Sequence, residues 1–409
     1  MGAETVDLMG DQHTPLFPFP RPDLAPPVEY AELRDSEPFK KARLWNGSEA
    51  WLITRFNDVR TVLADNRFSI NPTRPGFPNW NKGRAELLAE EEPTFLRMDP
   101  PDHTVLRRML AKEFTQSRIE ALRPQVQQAV DRLIGQMTTD RSSADFYAEF
   151  ALPLPSIVIS QMLGVPYEDH DLFQECGRRK LASDGDSAAA LAAGEEMRAY
   201  LDELLARKEA DPGAHDDLMS RLVVEQIRPG NLDRAEAIRM AELLLVAGHE
   251  TTANMLALGT LSLLLDRQQF ENLKANPDLA TRASEEMLRY HSIVQYGGVR
   301  VAIEDVEVSG QLIRAGEGVI ALLPAANWDS TIHPDPATFD ITKKRTMHVA
   351  FGFGIHQCLG QPLARLEMDV VCRSLPQMLP NLRLDVPPEQ IDYKHASLIH
   401  GVASLPVRW

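Results

Sequence analysis

The feature that most constrains this chain is one unbroken helical pattern over residues 233–265. Apolar residues recur there at helical spacing for about 33 positions, hence roughly 50 Å of helix at 1.5 Å per residue. Few soluble domains hold so long a helix unless it crosses the whole molecule. Glu242, His249, Glu250 and Asn254 lie inside the run, and four polar side chains in one span argue against a membrane helix. At its centre, Ala247-Gly248-His249-Glu250-Thr251-Thr252 is odd as scaffold. Glycine is poor in helix interiors, and a threonine hydroxyl bonds back to the carbonyl one turn earlier. His249-Glu250 opens a zinc-protease pattern, but the second histidine would fall at Ala253, so that reading fails.

Charge narrows the class further. With 43 Lys+Arg against 59 Asp+Glu, the formal net charge is −16, the reverse of a nucleic-acid binder's basic footprint. Cys176, Cys358 and Cys372 show no CxxC pairing, so neither a disulfide framework nor a structural zinc site is expected. Residues 1–12 carry acids and no apolar core, and proline breaks 15–22, so no signal peptide is read. The expected location is the reducing cytoplasm.

Periodicity predicts further helices over residues 57–64, 102–114, 116–137, 154–163, 187–210, 280–290 and 359–378. Short strands are predicted over 298–302, 306–308 and 318–322, and Asn46-Gly47 predicts a hairpin turn. Residues 70–93, rich in proline and carrying Phe77 and Trp80, read as a long loop, and loops of that length are usually functional. Residues 323–357 read as irregular, and the last thirty as strand-like. The expected fold is mainly α with small β-sheets. One domain is expected over 1–409, with residues 1–30 a proline-rich arm on the surface.

The most informative stretch is Phe351-Gly-Phe-Gly-Ile-His-Gln-Cys-Leu-Gly360. Gly352-x-Gly354 lacks the strand, third glycine and downstream acid of a dinucleotide loop. Cys358 instead sits at the mouth of a helix in a glycine-rich loop, where amides are expected to lower its pKa and stabilise the thiolate. Phe351 can shield the sulfur, while Gly354 and Gly360 can let backbone approach a flat ligand. A shielded thiolate accepting amide hydrogen bonds suits the axial ligand of a haem iron. The run matches the haem-binding signature of cytochromes P450, Phe-x-x-Gly-x-x-x-Cys-x-Gly, at every defined position. Other marks of that family follow in order, and the chain resembles a soluble bacterial monooxygenase of the actinomycete type.

The resemblance implies the triangular, mostly α P450 fold, with haem b between two helices and Cys358 as the iron's ligand. By it, Gly248 makes room for O2, Thr251 donates a hydrogen bond to the activated oxygen, and Glu250 relays protons. His249 is read as a helix-side contact only. Glu286 and Arg289 match the structural Glu-x-x-Arg pair that pins the segment before the cysteine, and 334–339 fits its partner region. Asn327-Trp328-Asp329 departs from the family, which usually carries Arg in the middle, and that puts the local ion-pair network in question. His103 and Arg107, four apart on one helix face, match the haem-propionate ligands together with Arg300 and His356.

Substrate contacts are expected from the 70–93 loop, from 172–191, from Ile293, Val294, Gln295 and Tyr296, and from Leu398 and Ile399. These are largely apolar and favour a mid-sized lipophilic substrate such as a natural product, with Gln295 and Tyr296 as polar contacts. Electrons are expected from NAD(P)H through a ferredoxin reductase and a ferredoxin. Arg108, Lys112, Lys343, Lys344 and Arg345 form either the ferredoxin's docking patch or only a solvated surface. Two rivals stand beside the monooxygenase. Segments such as 150–156, 163–166 and 289–291 also resemble the fungal nitric-oxide-reducing P450s, although Val294 and Ile399 stand where those enzymes place proton carriers. A haem-binding sensor or carrier is the other rival, and it has no need of the Glu250-Thr251 relay.

Overall fold

A computed structural model describes residues 14–181, 187–211, 213–214, 216–344, 347–395 and 397–409. The long pattern is one α-helix, Arg234–Leu265, capped by the Asp233 carboxylate accepting from the Glu236 amide at 2.7 Å. It packs against the helices Pro153–Leu163, His170–Leu181, Ser187–Ala210 and Ala280–His291. Most of its side chains are buried, which explains why apolar residues occupy nearly every face. The helix stays α-helical through 247–252, so any groove there is made by small side chains and not by a break.

The β portion is small, as expected. The Asn46 hairpin joins Phe39–Arg43 to Glu49–Ile53, with Phe39 opposite Ile53. That pair continues through Gly318–Ala321 and Gly298–Ala302 to the short strand Phe68–Ser69, making five strands. A three-stranded sheet gathers Ser143–Asp145, Pro406–Arg408 and Arg383–Leu384, so the strand-like reading of the C-terminal segment holds only in part. Among the described residues, no helix is long and apolar enough to cross a membrane.

Four expectations need correction. The 70–93 segment is not a continuous loop, for Lys82–Glu90 is a helix capped by the Asn81 side chain, which accepts from the Arg84 amide. The run 116–137 is two helices, Gln116–Glu120 and Arg123–Thr138; Pro124 lacks an amide hydrogen and starts a new helix instead of continuing one. The N-terminal arm does not simply lie on the surface: Phe17 and Phe19 are buried and stack edge-on against Tyr296 and Tyr30. Its residues 1–13 lie outside those described. Within 323–357, Leu323–Asn327 forms a short helix. The helix after Cys358 is Gln361–Met378, with Gly360 at its cap.

Candidate active site

The long helix and the cysteine loop line one cavity of about 1130 Å³. Ala247, Gly248 and Thr251 contribute from the helix; Phe351, Cys358 and Gly360 contribute from the loop. The Cys358 amide donates to the Phe351 carbonyl at 2.9 Å, closing the loop on itself. The Arg365 guanidinium lies 4.7 Å from the centre of the Phe351 ring and fixes its position. The amides of Gly360 and Gln361 point at the sulfur, as expected. The amides lower the thiol pKa as expected, but the net shift is upward: Cys358 is exposed to the cavity, yet the surrounding protein desolvates its sulfur, and that outweighs the two amides and the Arg107 and Arg365 guanidiniums pulling the other way. The loop's glycines also divide differently from the expectation. Gly354 does not line the cavity; at φ +75° it lies against the Leu63 carbonyl, where a side chain has no room.

Beside the sulfur lies a cluster of nitrogen donors. The rings of His103 and His356 are 4.1 Å apart, and both nitrogens of His103 and Nδ1 of His356 have no partner. Burial, with neighbouring guanidiniums, lowers both histidines, His356 to about 3, so both are neutral. Arg300 is buried and lowered to about 10 by desolvation, and it bonds only the Val299 carbonyl. Arg107 bonds the Gln357 carbonyl of the cysteine loop. Buried donors without acceptors are costly, and two carboxylates would satisfy them. Haem, with one thiolate ligand and two propionates, fits this donor set. Arg97 was missed in the sequence, since a single 3-10 turn, Phe95–Arg97, carries no periodicity; it also lines the cavity, near Arg300.

In the middle of the long helix, the Thr251 hydroxyl donates back to the Ala247 carbonyl at 2.7 Å and lines the cavity. Gly248 lines the cavity, where its lack of a side chain leaves room. A Cβ there would meet Ile159 at 2.9 Å, so the glycine is required by the approach of the helix Pro153–Leu163 as well as by the cavity. Glu250 turns away from the cavity wall. Its carboxylate accepts from Lys394 Nζ at 2.7 Å, from Asn254 Nδ2 at 3.1 Å and from the Tyr147 hydroxyl at 3.3 Å. Burial pushes this carboxyl up, but Lys394 and His249 outweigh it and leave the pKa lowered. His249 bonds only the Leu245 carbonyl and packs on Gly177, in keeping with a helix-side contact.

The Glu286–Arg289 pair is buried and bidentate, at 2.7 and 2.8 Å. Arg289 also donates to the carbonyls of Asn327 and Pro336, and Glu286 accepts from the Asp340 amide, so the pair holds 327–340 in place ahead of the cysteine loop. At the departure from the family pattern, packing replaces charge. The Trp328 indole donates to the Tyr290 carbonyl at 2.9 Å, and Asp329 accepts from the Phe56 amide.

Ile293, Val294, Tyr296, Leu398 and Ile399 all line the cavity. The two segments are hydrogen-bonded together, through a bridge at Val294 and Ile399 and the His400 amide on the Ile293 carbonyl. Gln295 does not reach the wall; its amide is spent on the Ser397 carbonyl at 2.8 Å. From 172–191, Lys180 and Leu191 reach the cavity, while residues 182–186 lie outside those described. The basic surface is smaller than expected. Lys112 is ion-paired to Glu225, and Lys343 donates to the Thr338 carbonyl. Arg345 lies outside the described residues, and Arg108 and Lys344 remain exposed.

Comparison with known proteins agrees with this geometry. The family model for cytochrome P450 matches residues 277–406. The chain is similar to cytochrome P450-SU2 of Streptomyces griseolus, 48% identical over 94% of each chain. It is 43% identical to the pentalenic acid synthase of Streptomyces avermitilis, again over 94% of each. Its fold superposes on the mycinamicin VIII C21 methyl hydroxylase of Micromonospora griseorubida with a TM-score of 0.91, at 37% identity, covering 97% of this chain and 100% of that one. With the thiol, the unsatisfied donors and the threonine of the long helix facing one cavity, the chain belongs to the cytochrome P450 family of haem monooxygenases.

Proposed function

We propose that the chain binds haem b through Cys358, with the propionates on His103, Arg107, Arg300 and His356, and oxidises a mid-sized lipophilic natural product in the cytoplasm. The whole chain acts as one domain in this reading. Haem held there supplies reductive activation of O2 and insertion of one oxygen atom into a substrate C–H bond. The residues supply the rest. Ile293, Val294, Tyr296, Leu398 and Ile399 form an apolar wall that orients substrate and excludes water. Thr251, whose proton is held by the Ala247 carbonyl in this state, presents its oxygen to the cavity and rotates to donate. Glu250, one residue back, carries protons inward from the Lys394–Tyr147 side. Electrons come from NAD(P)H through a reductase and an acidic ferredoxin.

The observation that carries this reading is the pairing of a cavity-lining Thr251 with a Glu250 that is buried yet bonded to a lysine and a tyrosine. A sensor or carrier has no use for such a relay. Nor does nitric-oxide reduction fit: Val294 and Ile399, at the positions where proton carriers are wanted, oppose each other as two alkyl groups that can carry no proton. The relatives' names support a natural-product substrate. Turnover decides between the readings. A ferredoxin system with O2 and a substrate should give an oxygenated product, while NADH alone should leave nitric oxide unreduced. Rapid NADH-dependent formation of nitrous oxide without a redox partner would overturn the proposal.

A further inference from the structure

Two guanidiniums in the cavity have no acceptor among the described residues. Arg84 and Arg97 both line it, and neither is in an ion pair or side-chain hydrogen bond among the described residues. Desolvation lowers both, Arg97 strongly, and Arg84 and Arg300 lower Arg97 further, with Glu91 pulling both the other way. Arg84 Nε is buried without a partner, and its guanidinium sits 5.6 Å from the Trp80 ring. The Trp80 indole Nε1 is a third buried donor with no acceptor. Of the acids that line the cavity, Glu90 and Glu195 are exposed and in no ion pair among the described residues, and those nearer the arginines are engaged. Glu91, whose charge acts on both arginines, is bonded to Lys180 at 2.7 Å; Glu242 is bonded to Lys180 and Arg198, and Glu92 to Arg239.

Haem does not account for this surplus. It brings two carboxylates, and Arg107 and Arg300 match them one for one, with the unpartnered ring nitrogens of His103 and His356 beside them. Two further guanidiniums, half-buried in the cavity wall, then stay unpaired, and a partly desolvated charge without a partner is costly. Either an anion completes them or the site carries an unexplained penalty.

We propose that the substrate is a lipophilic acid, held in the cavity by its carboxylate on Arg84 and Arg97, with the Trp80 indole as an additional donor. The apolar wall of Val294, Leu398 and Ile399 takes the hydrocarbon part. The carboxylate is thus the handle that fixes which carbon is presented beside Thr251 of the long helix, since a bidentate arginine contact sets direction as well as affinity. This rests on the haem-monooxygenase reading and narrows its substrate to amphipathic carboxylic acids.

The test uses the haem-loaded full-length protein with dodecanoic and hexadecanoic acids and their methyl esters, which differ only in charge. Calorimetry and the substrate-induced spin-state shift report affinity. Each acid should bind at least ~10-fold more tightly than its ester, a charge-assisted contact being worth that much or more. Arg97→Gln and Arg84→Gln should each abolish most of that preference with ester affinity unchanged, and Arg97→Lys should restore part of it. Haem content and the ferrous–CO spectrum should not change. An acid-to-ester ratio near one in the wild type would overturn the proposal. So would loss of haem in Arg97→Gln with the acid preference intact, which would give that arginine to a propionate. Failure of the underlying reading is seen separately, as a wild-type protein without a thiolate-type ferrous–CO band, because calorimetry reads the acid-to-ester ratio independently of the haem spectrum.

Discussion

Lys394 Nζ lies 2.7 Å from Glu250 Oε1 and 2.6 Å from the Tyr147 hydroxyl, so a lysine from the C-terminal segment controls the acid of the long helix. Two opposed effects meet at this carboxyl. Burial favours the neutral form, and the ammonium favours the ionised one strongly enough to leave the pKa below its ordinary value. Lys394→Met removes the second and leaves the first. The Glu250 pKa should then rise, and the acidic limb of the pH–turnover profile should move to higher pH. Glu250→Gln should remove that limb and slow turnover by about 10–100-fold. An unmoved limb in Lys394→Met would separate the lysine from proton delivery.

Thr251 offers a second handle, because its hydroxyl is a polar group of the long helix that lines the cavity near Gly248. Thr251→Ala keeps the helix, which loses only a back-bond to the Ala247 carbonyl. Haem and substrate binding should therefore persist, while product per NAD(P)H falls about 10-fold and hydrogen peroxide rises to match. Equal coupling in variant and wild type would remove Thr251 from the mechanism.

Glu285 gives the chain a predictable acid sensitivity. Burial pushes this carboxyl up, but His348 at 3.1 Å and Arg365 at 2.6 Å outweigh it and hold the pKa at about 2. A carboxyl depressed in the folded state contributes stability that is complete above its unfolded pKa, near 4.3, and lost as pH falls through the folded value. Thermal stability should thus fall steeply between about pH 4.5 and 2, and Glu285→Gln should flatten that fall. The variant should also be less stable by about 3–5 kcal/mol at neutral pH, since Arg365 loses its buried partner. A variant with the wild-type pH dependence would contradict the assignment.

What the sequence revealed follows the range of the interactions involved. Cys358, Phe351 and Gly360 were legible because the loop that aims the sulfur is local, ten residues closed by one amide–carbonyl bond. The long helix was legible because its period persists for many turns. Lys394 was not, because it reaches Glu250 from 144 positions away, out of an irregular segment with no pattern to read. Arg97 sits in a 3-10 turn too short to show a face. The helix Lys82–Glu90 hid behind the prolines before it, with only Gly83 and Leu87 buried along its length. Phe17 and Phe19 looked like surface because proline-rich sequence usually is, yet Tyr296 and Tyr30 supply the aromatic partners that bury them.

The central claim is that Cys358 holds the haem iron as a thiolate, although desolvation raises the pKa of its thiol. The most direct measurement is the spectrum of the reduced, CO-bound protein, compared between the wild type and Cys358→His. The account predicts the red-shifted Soret band of thiolate ligation in the wild type, moving to shorter wavelength in a variant that still retains haem through His103, Arg107, Arg300 and His356. An identical band in the two proteins would contradict it.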